Sequence, residues 1–257
     1  MTLRPGISLI PVRFSGEIRP GDDLFEKLSL ALRHQKVSLE EGDVLIIKHK
    51  IVSKAEGRFV DLNGIKPSAD AQAWAKQGRL DARVIELVLR ESRRIVRQQK
   101  IGRRPLLITE THHGLVCANS GIDLSNVDGG KHALLLPQDP DRSALRLYST
   151  IKKKCGIHVA VIISDSFGRP WREGLTEVAI GVAGVKPLID LRGKRDPYGY
   201  RLHATSEAVA DELACAAGLL CGKLNRTPAC IVRGYRSGGR TGSARQLIRA
   251  QAHDLFR

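Results

Sequence analysis

The chain has 257 residues, and its 42 Lys or Arg against 27 Asp or Glu give a formal net charge of +15. Hydrophobic residues make up 42% of it, enough for a sizeable core, so we expect one domain over residues 1–257 or two intertwined subdomains. Aromatic residues make up only 4%, which argues against a base-stacking surface for single-stranded nucleic acid. The positive charge suits either nucleic acid or a small polyanion, such as a nucleotide, that is steered into a cleft.

The five cysteines form no CxxC pair and have apolar neighbours, which favours reduced thiols over disulfides or a zinc site. The N-terminal residues pass straight into an apolar strand pattern at 7–12, without the apolar region of a signal peptide. No apolar run approaches the length that would span a membrane. We therefore expect a cytoplasmic protein.

Hydrophobic periodicity predicts mixed helices and strands without the strict alternation of a Rossmann fold or a barrel, so the fold class is α/β of the mixed α+β kind. Strands are expected at 7–12, 43–47, in a meander over 106–136, and at 159–164 and 229–232. Helices are expected to begin at 21–23, at Ser68, at Asp81 and at Asp139, to span 205–220, and to form a basic tail from Ala244.

The most informative stretch is the apolar run at 159–164, whose β-branched residues are typical of a strand buried on both faces. We expect it to end at Ser164, before a Gly-Arg-Pro turn, which leaves Asp165 and Ser166 at the lip of the strand. Their oxygen atoms are suitable ligands for Mg²⁺ or Mn²⁺. Arg169 and Arg172 can each form bidentate hydrogen bonds with phosphate or carboxylate oxygens. The competing interpretation is an Asp that caps a turn, with both arginines in solvent.

Two other polar clusters interrupt apolar runs. Lys54, followed by Glu56 and Arg58, can hold a phosphate, although this pattern taken alone favours an ordinary surface lysine. In the second cluster Asp123 and Asn126 lie three residues apart, so one turn could aim both at a ligand; the alternative is an Asx turn. The usual nucleotide signatures, GxxxxGK[ST] and GxGxxG, are absent, so any nucleotide site is of an unusual kind.

Several long motifs in one order resemble the coenzyme F420-0:γ-glutamyl ligase family over about residues 7 to 236. The first four motifs are GDVLII at 42–47, IVSKAEGR at 51–58, SGIDLSNV at 120–127 and LLLPQDPD at 134–141. A longer match runs from VIISDSFGR at 161–169 through GVK at 184–186, and RDPYG at 195–199 and VRG at 232–234 follow it.

The resemblance implies a GTP-dependent ligase that adds L-glutamate to the deazaflavin precursor F420-0 through a γ-linked amide, releasing GDP and phosphate. An acyl phosphate made from the γ-phosphate of GTP is the expected intermediate, with Lys54, Asp165 and Arg169 as the catalytic side chains. The resemblance also implies Mn²⁺ or Mg²⁺, a helping monovalent cation such as K⁺, and an intertwined homodimer. It implies no nucleic-acid partner and no membrane.

Carried over residue by residue, the resemblance assigns two sets of ligands. The metal ligands would be Asp123, Asp165 and Ser166. The residues that contact GTP would be Ser15, Gly16, Glu17, Ile18, His49, Lys50, Lys54 and Asn126.

The chain departs from the family pattern at three places. Many members have Gly-Leu-Pro in the early loop, where this chain has Phe14-Ser15-Gly16, and His49-Lys50 replaces small hydroxyl residues. Some members carry an acidic residue in the segment matching 222–228, which here is basic and polar, so we expect no third metal ligand from it.

Two alternative functions stay open at this point. One is a related nucleotide-dependent ligase with a different acid acceptor. The other is a basic nucleic-acid-binding protein, against which the scarcity of aromatic residues and the aspartates between basic segments argue. The basic stretch at 90–104 is interpreted as a solvated helix end and a strand edge.

Overall fold

A computed structural model describes residues 6–78, 81–101, 104–125, 130–236 and 242–254 of the chain. Within these ranges the protein is a mixed α/β structure, as the sequence predicts. Its helices are α1 (Leu24–His34), α2 (His49–Ala55), α3 (Ala69–Gly78), α4 (Ala82–Arg90), α5 (Pro140–Cys155) and α6 (Val209–Cys221). Its strands are β1 (Ser8–Val12), β2 (Val44–Lys48), β3 (Phe59–Asp61), β4 (Ser92–Ile101), β5 (Arg104–Thr111), β6 (Val116–Ala118), β7 (His132–Leu134), β8 (Ala160–Arg169), β9 (Arg172–Ala183), β10 (Ile189–Asp190), β11 (Ser206–Glu207) and β12 (Ala229–Arg233).

The central element is a five-stranded sheet with the strand order β1-β12-β2-β8-β9. Strands β2 and β8 are parallel, and every other neighbouring pair in this sheet is antiparallel. Leu45 and Ile47 of β2 face a core cluster that includes residues of α1 and α5, whereas Val44 and Ile46 face a second cluster built on α6. Burial on both faces explains why β2 and the first half of β8 are continuous apolar runs.

Three smaller sheets surround this core: β4-β5-β6, β3-β7 and β10-β11. Helices α3 and α4 pack with Leu107 of β5 in a separate cluster of buried side chains. Glu86 of α4 ties the two helices together, since its carboxylate accepts hydrogen bonds from the Ser68 backbone N–H at 2.9 Å and from Arg90 Nε at 2.8 Å.

The structure confirms the helix starts that the capping residues predict. Asp23 accepts from the backbone N–H groups of Phe25 and Glu26 at the start of α1. Asp81 and Asp139 cap α4 and α5 in the same way. Helix α4 ends at Arg90 and β4 follows at once, so the described part of 90–104 is the helix end and strand that the sequence predicts.

Three sequence predictions are wrong. The central strand does not end at Ser164 but continues to Arg169, because β9 returns beside it as a hairpin and supplies its hydrogen bonds. The helix expected over 205–220 begins only at Val209, since β11 pairs with β10 first. The tail forms two short 3₁₀ turns, Ala244–Leu247 and Gln251–His253, instead of one basic helix. Elsewhere, 3₁₀ turns occur at Leu62–Gly64 and Asn119–Gly121.

No helix among the described residues is both long enough and apolar enough to cross a membrane.

Candidate active site

A cleft of about 570 Å³ opens where the parallel strands β2 and β8 meet α2. Its walls come from five parts of the chain that are distant in sequence: 14–18, 48–54, Leu124, the pair Asp165 and Ser166, and 221–228. In α/β sheets ligands bind outside the carboxyl ends of parallel strands, and this cleft occupies that position. It therefore brings together six of the residues that the resemblance assigns to GTP: Gly16, Glu17, Ile18, His49, Lys50 and Lys54.

The charge of the cleft lining is strongly positive. Its basic side chains are Lys48, Lys50, Lys54, Lys223 and Arg226, in addition to His49, while Glu17 and Asp165 are the only acids among the lining residues that the structure describes. An excess of basic side chains in a cleft favours a polyanion, because the local electrostatic field is positive. Nucleic acid is not required to explain the basic composition of the chain.

Asp165 lies within β8, with its carboxylate held by two neighbours. Oδ1 accepts a hydrogen bond from the Ser166 backbone N–H at 2.7 Å and lies 3.3 Å from Nε2 of His49. The ring of His49 is itself buried, and its Nδ1 lies 3.3 Å from the Ser53 hydroxyl. Burial raises the pKa of the Asp165 carboxyl, but the His49 ring and the Ser166 N–H outweigh burial and bring that pKa below its usual value. Asp165 is therefore a carboxylate at neutral pH.

Asp123 lies on the loop after β6, and the backbone fixes its position. Its N–H and C=O both bond to Leu134 of β7, at 3.0 and 2.9 Å. The turn before it needs Gly121, which has φ +69° and packs so closely on Leu136 that a Cβ would lie 2.8 Å from a methyl carbon. This rigid support holds the Asp123 side chain in one place.

The Asp123 carboxylate pairs with Lys50 across 2.5 Å and accepts from the Ser125 N–H at 2.6 Å. Burial raises the pKa of the Asp123 carboxyl, yet the hydrogen bonds from Lys50 and Ser125 outweigh burial and lower that pKa. The two carboxylates contact consecutive residues of α2, since Asp165 lies against His49 and Asp123 against Lys50. The structure thus places two predicted metal ligands, one on strand β8 and one on the loop after β6, beside the start of the same helix.

Lys54 is buried at the end of α2, and its ammonium lies 3.1 Å from a carboxylate oxygen of Glu17, which is exposed. Glu56 and Arg58 point away from the cleft, to Ser143 and to the Leu136 carbonyl respectively. The polar cluster noted around Lys54 therefore contributes only Lys54 to the site.

Three predicted residues do not line the cleft. Ser15 is exposed beside it, and Asp123 reaches it through its contact with Lys50. Arg169 lies at the end of β8, where its guanidinium donates to the Glu173 carbonyl at 2.5 Å and so closes the β8–β9 hairpin. Asn126 lies outside the described residues.

Sequence reasoning missed a buried polar group behind the cleft wall. Glu177 of β9 pairs with Lys48 through one carboxylate oxygen, and its other oxygen accepts from the Ser164 hydroxyl at 2.9 Å. Its partners lie on β2 and β8, so no local pattern could reveal the contact. Lys223 and Arg226 were also missed as cleft residues, because only the antiparallel pairing of β12 with β2 places their loop there.

The donor set fits a divalent metal that is shared with a phosphate ligand. Within the described ranges no group of three or more His, Cys, Asp and Glu side chains could hold a metal ion alone. Two carboxylates and the Ser166 hydroxyl are oxygen donors, however, and Mg²⁺ commonly binds through one or two carboxylates together with phosphate oxygens and water. The residues present therefore suit Mg²⁺ or Mn²⁺ bound together with a nucleotide.

The sheet and its cleft define an α/β protein with a basic cleft at the carboxyl ends of parallel strands. Comparison with known proteins makes this more specific: the model of the F420-0:Gamma-glutamyl ligase family matches residues 14–234. The chain belongs to this family.

Three relatives named coenzyme F420:L-glutamate ligase are similar along most of their length. The protein of Methanothermobacter thermautotrophicus is 45% identical over 255 residues, which cover 98% of this chain and 99% of the relative. That of Methanopyrus kandleri is 44% identical over 260 residues and 98% of both chains. That of Methanocaldococcus jannaschii is 40% identical over 233 residues, covering 90% of this chain and 91% of the relative.

Proposed function

We propose that the protein is a GTP-dependent ligase that joins L-glutamate to F420-0 through a γ-linked amide bond, forming GDP and phosphate. The observation that carries this proposal is the position of Asp165 and Asp123 beside a cleft lined by basic side chains. Membership in the F420-0:γ-glutamyl ligase family supplies the substrate class.

In the proposed reaction a carboxylate oxygen of the precursor attacks the γ-phosphorus of GTP. The bond from this phosphorus to the β-phosphate oxygen breaks, GDP leaves with the electron pair, and an acyl phosphate forms. The amine of glutamate then attacks the acyl carbon, phosphate departs with the electrons of the C–O bond, and the new amide nitrogen loses a proton. Reactions of this kind depend on positioning and charge neutralisation more than on a protein nucleophile.

The basic side chains of the cleft have distinct places in this scheme. Lys54 is buried and fixed at the end of α2, so it is suited to hold a phosphate oxygen at one position. Lys223 and Arg226 line the same cleft, are exposed, and can close onto an anionic ligand. Arg169 is a candidate to hold the acceptor carboxylate or the transferred phosphate, provided that the hairpin turn releases its guanidinium.

Asp123 and Asp165 would hold Mn²⁺ or Mg²⁺, with Ser166 as the ligand of a second ion. Such an ion, when bound, would neutralise the charge that develops on the phosphate oxygens. His49 and the Ser166 N–H keep the Asp165 carboxylate oriented and ionised, which is the state that metal binding requires. K⁺ as a further activator and a homodimeric assembly are also proposed, on the basis of family membership.

The competing candidate is a ligase with the same nucleotide chemistry and a different acid acceptor. The two can be separated by offering F420-0 and other small carboxylic acids in parallel with glutamate, GTP or ATP, and Mn²⁺. Our proposal expects a product only with F420-0, and faster turnover with GTP than with ATP. Glutamylation of another acid in preference to F420-0 would favour the competing candidate.

A further inference from the structure

Two neighbouring residues at the start of α2 cover both aspartates of the candidate metal site. His49 contacts Asp165, and Lys50 contacts Asp123. The two aspartates come from different parts of the chain, yet consecutive side chains of one helix meet both. Lys50 balances, inside the protein, the negative charge of Asp123 that a metal ion would otherwise balance.

The ammonium of Lys50 occupies a position surrounded by oxygen atoms. It lies 2.5 Å from Oδ2 of Asp123, 3.0 Å from the Ser125 hydroxyl and 3.5 Å from the Ser125 carbonyl oxygen. A cation at such close range competes directly with Mg²⁺ or Mn²⁺ for the same carboxylate. The metal can use Asp123 fully only when Lys50 has moved away.

Lys50 also lines the cleft that we assign to the nucleotide. A triphosphate in this cleft offers the ammonium a second set of anionic oxygens, and the Lys50 side chain is partly exposed. The bound nucleotide can therefore draw Lys50 from Asp123 toward phosphate, which exposes the carboxylate to the metal.

We propose that Lys50 is a positioning residue that couples metal binding to nucleotide binding, because its ammonium shields Asp123 until phosphate takes its place. The inference rests on the proposed metal and nucleotide site. It makes metal and nucleotide bind as a unit. By thermodynamic reciprocity, the metal strengthens nucleotide binding by the same factor.

The test is Mn²⁺ binding by the purified protein, followed through the electron paramagnetic resonance signal of free Mn²⁺. The titration is done without nucleotide and with a non-hydrolysable GTP analogue, corrected for binding of Mn²⁺ to the analogue alone. We expect the wild-type protein to bind Mn²⁺ weakly by itself. Lys50→Gln should bind Mn²⁺ without nucleotide between about 5-fold and about 150-fold more tightly, the usual range for coupled sites.

Two control variants separate the charge of Lys50 from a general effect of mutation. Lys50→Arg keeps the positive charge and should retain the weak binding of the wild type. Lys27→Gln removes a lysine that pairs with Asp22 at 3.1 Å, away from the cleft, and should also leave Mn²⁺ binding unchanged. Tight binding of Mn²⁺ by the wild type without nucleotide would overturn the inference, even if Lys50→Gln proved unstable.

Failure of the inference can be distinguished from failure of the proposed function. A wild-type protein that glutamylates F420-0 but binds Mn²⁺ equally well with and without the analogue would keep the function and reject the role of Lys50. No Mn²⁺ binding by any variant, with or without the analogue, would reject the metal site and the inference together.

Discussion

Glu177 and Lys48 form an ion pair between β9 and the end of β2, directly behind the wall of the candidate active site. Both side chains are largely withdrawn from solvent, and the Ser164 hydroxyl satisfies the second oxygen of Glu177. The pair thus fixes Lys48, a residue of the cleft, to the hairpin that carries Asp165. Fold stability and the geometry of the site depend on the same contact.

Replacing Glu177 by Gln should destabilise the protein. The change leaves the Lys48 charge unpaired in a mostly buried position, and breaking such pairs costs about 3 kcal/mol or more. We expect the free energy of unfolding in urea to fall by this order. In the double variant Lys48→Met, Glu177→Gln, the free energy of unfolding should fall by less than the sum of the decreases in the two single variants, since no charge remains unpaired. Strict additivity would contradict this account.

A substitution on α6 tests the same contact from a distance. A Cβ at Gly218 would lie 2.6 Å from Cγ of Glu177, closer than side-chain carbons approach one another. Gly218→Ala should therefore destabilise the protein by about 1–3 kcal/mol through overpacking, although Ala normally favours a helix interior. Gly64→Ala, where a Cβ meets nothing within 4 Å, is the matched control. If both variants unfold at the same urea concentration as the wild type, Glu177 is not tightly held.

Substitutions of Lys54 and of Glu17 should change the affinity for GTP in opposite directions. Lys54→Met removes a charged hydrogen-bond donor from the cleft and should weaken GTP binding by about 10-fold to 100-fold, equivalent to roughly 1.5–3 kcal/mol. Glu17→Gln removes the carboxylate that competes with phosphate for Lys54, so GTP should bind a few-fold more tightly. Isothermal titration calorimetry measures both affinities. Equal losses in the two variants would mean that the Glu17 carboxylate itself supports the nucleotide.

The contribution of Glu86 to the free energy of unfolding should change with pH in the acidic range. Hydrogen bonds from Ser68 and Arg90 lower the pKa of Glu86 from 4.5 to about 2. A carboxyl whose pKa is lowered on folding stabilises the native state above its unfolded pKa, and this contribution is lost as pH falls through the folded pKa. The stability difference between the wild type and Glu86→Gln should therefore be constant above about pH 5 and shrink between 4.5 and 2. Urea unfolding at several pH values measures it; a difference that does not change over this range would contradict the assignment.

Local signals in the sequence predict the helix starts well. Asp23, Asp81 and Asp139 cap their helices by contacts that span two or three residues, so the sequence alone contains the whole interaction. The apolar runs of β2 and β8 are equally local. Their burial on both faces is confirmed.

Elements that depend on distant partners could not be predicted in the same way. Glycine and polar residues in β9 hide a strand that exists because it pairs with β8, and that pairing extends β8 past Ser164. Ser206 and Glu207 look like the start of a helix, yet they pair with β10. The same limit applies to the site, where family resemblance predicts Lys54 and Asp165, while the contacts of Glu177 become visible only when three strands are assembled.

The central claim is tested most directly by mass spectrometry of F420-0 incubated with L-glutamate, GTP and Mn²⁺ and either the wild-type protein or Asp165→Asn. Asn keeps the shape of the side chain and removes its charge, and Asp190→Asn, at an exposed pair with Arg192, is the matched control. We predict that the wild type and Asp190→Asn add at least one glutamyl unit with one GDP released per bond. Asp165→Asn should lose activity by at least about 100-fold, as when an electrostatic contact to the transition state is removed. Absence of glutamylated product from folded wild-type protein, or full activity of Asp165→Asn, would contradict the account.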